Sequence, residues 1–94
     1  MKNKEPFVKR ADEYINLANQ QLDGPEDLTP GEISASFLFG AARFNAWVAA
    51  CEFDSPETMK EAKEEIIEYF VKEYKQMLNQ HIDSHVEAFD FSNN

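Results

Sequence analysis

Pro30 to Cys51 reads PGEISASFLFGAARFNAWVAAC, and this stretch decides the fold. Thr29-Pro30-Gly31-Glu32 is a helix start: threonine caps, proline suits the first helical position, and Glu32 completes a capping box. Ile33, Phe37, Ala41, Phe44, Val48 and Cys51 then recur three and four residues apart, which is one helical stripe. Ala35, Phe39, Ala42, Ala46 and Ala49 form a second stripe beside it. A helix with two apolar stripes has to be covered from two sides. Only the line through Ser36, Gly40, Arg43 and Trp47 is mixed. Gly40 costs roughly 1 kcal/mol of helix propensity relative to alanine, and close approach of a neighbouring backbone is a reason to tolerate that.

The segments on either side are expected to fold back against this central helix. Upstream, Glu5-Pro6 opens a helix, and Phe7, Ala11, Tyr14, Ile15, Ala18 and Leu22 follow at helical spacing. Asp23-Gly24-Pro25 ends it, with Gly24 suited to a left-handed C′ position. Downstream, Ser55 caps a third helix, Pro56 takes its first position, and Met59, Ala62, Ile66, Tyr69, Phe70, Tyr74, Met77, Leu78 and Ile82 keep the period without a breaker. No strand pattern persists. The expectation is an all-α, up-down-up three-helix antiparallel bundle, with helices at about 6–22, 30–51 and 56–85. Residues 1–94 form a single helical domain, with 86–94 as a C-terminal tail free to move.

The chain of 94 residues holds 18 Asp and Glu against 9 Lys and Arg, a formal charge of −9. A nucleic-acid binder needs clustered cations to neutralise phosphates, so this acidic balance argues against nucleic acid and against anionic membrane surfaces. No stretch approaches the roughly 20 apolar residues of a membrane span. The N-terminal residues have no apolar run of the secretory kind. The single cysteine, Cys51, excludes an internal disulfide and is placed by its stripe as a buried, inert thiol. A soluble, acidic, cytoplasmic protein is the expectation.

RADEYINLAN (10–19), SASFLFGAARFNAW (34–47) and EEIIEYFVKEYKQML (64–78) together resemble a bacterial family of small proteins known as domain of unknown function 3144. The resemblance spans about Phe7 to Leu78. It implies a small helical bacterial protein and brings no catalytic residues with it.

Chemical motifs are sparse. His81 and His85 share a helix face, but zinc usually takes three or more protein ligands and no third is fixed near them. No metal and no cofactor is expected, and the histidines read as surface residues near a helix C-terminus, where positive charge is favourable. Glu61, Glu64, Glu65 and Glu68 lack the Glu-x-x-His spacing of a di-iron bundle and interleave with lysines, as on a solvated face. Three glycines provide neither a phosphate loop nor a nucleophile elbow. No catalytic residue is indicated.

Arg43 is the most informative polar residue, because it interrupts the apolar helix. Asp12, Glu61, Glu64 and Glu65 are the carboxylates that antiparallel packing brings level with it, and an ion pair buried along the arginine stem would fix the register. Two functional readings follow. The first is a non-enzymatic, self-associating interaction module, a homodimer joined through the C-terminal part of the third helix. There Leu78, Ile82, Val86, Phe89 and Phe91 extend beyond the end of the central helix. The second is a binding protein or enzyme for an anionic small molecule, with a pocket around Arg43, Asn45 and Trp47.

Overall fold

The computed structural model describes residues 5–93. It is all-helical: α1 (Glu5–Leu22), α2 (Pro30–Ala50), α3 (Pro56–Glu61) and α4 (Lys63–Ala88), followed by a 3₁₀ turn at Phe91–Asn93. The chain divides into two units, Met1–Phe44 and Asn45–Asn94.

In the first unit the capping box forms as its residues dictate. The Thr29 N–H donates to Glu32 Oε1 at 2.8 Å, and the Glu32 N–H donates to Thr29 Oγ1 at 3.1 Å. Two orphan donors of the first turn are thereby satisfied. Ile33 sits one residue further on and is 8% exposed, the only buried residue among those described. Ala11, Ala18, Leu22 and Leu28 are half-buried in the same unit. The end of α1 departs from expectation. The Asp23 and Gly24 N–H groups donate back to Asn19 and Gln21, and Gly24 does not adopt positive φ. The chain turns here without the left-handed conformation that the glycine permits. Nor do α1 and the first part of α2 pack along each other, so the side-by-side antiparallel pair expected of them is not formed within this unit.

In the second unit Ser55 caps α3. Its hydroxyl accepts from the Thr58 N–H at 3.2 Å, and Pro56 occupies the first turn. The single third helix of the sequence reading is two helices. At Ala62 the backbone adopts φ −89° and ψ 2°, and the Ala62 N–H reaches back to both Thr58 and Met59. A tightened turn of this kind interrupts the ladder locally, and no glycine or proline announces it in the sequence. α3 packs on α4 across the joint. Phe53, Met59, Ala62, Ile66 and Phe70 are half-buried there. From Val71 onward every described residue with an assigned burial is exposed. α4 continues to Ala88 rather than ending near His85, so Val86 to Ala88 belong to the helix. The Phe89 N–H donates to the His85 carbonyl, and Phe89 turns extended, at φ −73° and ψ 140°.

Cys51, expected to be buried, is exposed. Apolar cover on the described helices is thin throughout. Phe37, Phe39 and Phe44 on α2 are 42%, 64% and 60% exposed, and Phe7, Tyr14 and Leu17 on α1 are all exposed too.

Candidate functional site

The residues singled out in the sequence lie on α2. Arg43 belongs to the first unit, Asn45 and Trp47 to the second. The Arg43 guanidinium carbon stands 5.1 Å from the centroid of its own helix neighbour Phe39, four residues back. That is a cation–π contact at an exposed position, worth about 0.5–1 kcal/mol. The residue is exposed rather than buried along its stem, and no ion pair to Asp12 forms in the first unit. The expected register-fixing pair is replaced by a local, solvent-facing contact. Asn45 is half-buried and Trp47 is 61% exposed.

An open groove of about 630 Å³ lies in the first unit, between the end of α1 and the start of α2. Leu17, Leu28 and Ile33 supply its apolar wall, and Gln20, Gln21 and Glu32 its polar edge. Arg43 is not part of it. With Glu26 also on its lining, the groove collects two carboxylates and two amides but no cation, so it offers an anionic ligand no charge to hold it.

On α4 the His85 Nδ1 lies 2.9 Å from the His81 carbonyl oxygen, and the His85 ring faces Phe89 at 6.0 Å between centroids. Among the described residues no group of three or more His, Cys, Asp or Glu side chains is arranged to hold a metal ion. The Ser84 hydroxyl donates to the Gln80 carbonyl and does not engage the adjacent histidine. What the sequence reading missed is the setting of the two histidines. At about 100° per residue, His81 and His85 fall within 60° of Leu78, in the middle of the apolar face of α4 and not on its polar side. The signal was legible: both share the helical phase of Val71, Tyr74 and Leu78.

Over residues 7–86 the chain matches the family described as "Protein of unknown function (DUF3144)". The chain belongs to this family. A solved structure, titled "NMR structure of the protein NB7890A from Shewanella sp", is similar to it at 38% identity and a TM-score of 0.80. The match covers 97% of this chain and 94% of that one. No curated protein matches. The family thus carries a helical fold without an assigned activity. Among the described residues no helix is long and apolar enough to cross a membrane.

Proposed function

We propose that this chain is a non-enzymatic interaction module whose helices complete their packing by self-association. The observation that carries the reading is the exposure of its apolar side chains. Among the described residues, twenty-one large hydrophobic residues are exposed and one residue, Ile33, is buried. Full burial of one such side chain is worth about 1.5–3 kcal/mol, so this distribution leaves most of the driving force for folding unused within a single chain. Antiparallel helix packing of the kind the three-helix pattern calls for is then supplied between copies. The same acidic composition that disfavours nucleic acid keeps the assembled form soluble.

Light scattering after size exclusion tests the reading: the expected mass is twice 10.8 kDa at micromolar concentration. A single-chain mass at high micromolar concentration overturns it. A second reading, binding of an anionic small molecule around Arg43, Asn45 and Trp47, is favoured by one observation. The exposed guanidinium of Arg43 is held by an aromatic ring and not by Asp12. A thermal-shift screen with anionic metabolites separates the two, because a specific shift that Arg43→Ala abolishes belongs to the second alone.

A further inference from the structure

We draw no further inference here: the strongest candidate, the open groove of the first unit between the end of α1 and the start of α2, joins an apolar wall to the carboxylates of Glu26 and Glu32 with no second observation that points to a ligand, and nothing in the structure shows what covers it.

Discussion

At the corner between α1 and α2, Ile33 is 8% exposed, and Ala18, Leu22 and Leu28 of the same unit are half-buried. On α4 beyond Phe70, Val71, Tyr74, Leu78 and Ile82 are 42% to 58% exposed. Both regions present apolar side chains. What separates them is the chain around them. The turn after α1 brings Leu17, Leu28 and Ile33 to one corner, whereas in the second unit α3 packs on α4 across the joint at Ala62. Helical periodicity therefore states that a face must be covered and leaves open which molecule covers it.

The largest expected effect probes the covered side. Ile33→Ala should cost about 2–5 kcal/mol, because it removes buried methylenes and leaves a cavity. Urea unfolding measures this, and the loss should be the same at every protein concentration, since Ile33 is buried within one chain. A loss below about 0.5 kcal/mol would mean that the corner is no core.

The uncovered side gives the next test. If a second copy completes α4, each tenfold rise in protein concentration adds about 1.4 kcal/mol to the stability of the assembled state. The melting temperature should climb by several degrees per decade. A melting temperature independent of concentration removes the contrast, because α4 would then be covered by its own chain or by nothing.

Much of this was legible in the residues. Thr29 with Glu32 and Ser55 with Pro56 predict two helix starts, and both caps form with the expected donors. These are local features, set within four residues, and local chemistry decides them. The break at Ala62 was not legible, since alanine is the best helix former and Met59 to Ile66 keep the period. The surroundings of Arg43 were not legible either. Pairing it with a carboxylate assumed an antiparallel register, and a register is a long-range property that spacing alone does not set. Phe39, four residues back, was the nearer partner on the helix surface.

A smaller effect tests the local half of that lesson. Ser55→Ala removes the oxygen that accepts from the Thr58 N–H, and an N-cap of this type is worth about 1 kcal/mol. Thermal unfolding should show the loss, and Ser55→Asp should restore most of it. No recovery with aspartate would mean that the cap is not what holds α3 against the start of α4.

The smallest effect turns on sign. Gly40 lies at the middle of α2, and the sequence reading gives it a close neighbour; yet a Cβ added there meets nothing within 4 Å. In open space Gly40→Ala should stabilise the helix by roughly 0.8–1 kcal/mol, the difference in propensity, without strain because the glycine has ordinary negative φ. The measurement is a pair of urea titrations, one dilute and one concentrated. Stabilisation in both leaves α2 clear of the partner and confines association to other faces such as that of α4. Stabilisation that turns to loss at high concentration would show a second backbone arriving at Gly40, and the surface joining two copies would then extend onto α2. A loss in the dilute sample as well would mean that the neighbour belongs to the same chain, and the comparison between a covered corner and an uncovered helix would have to be redrawn around α2.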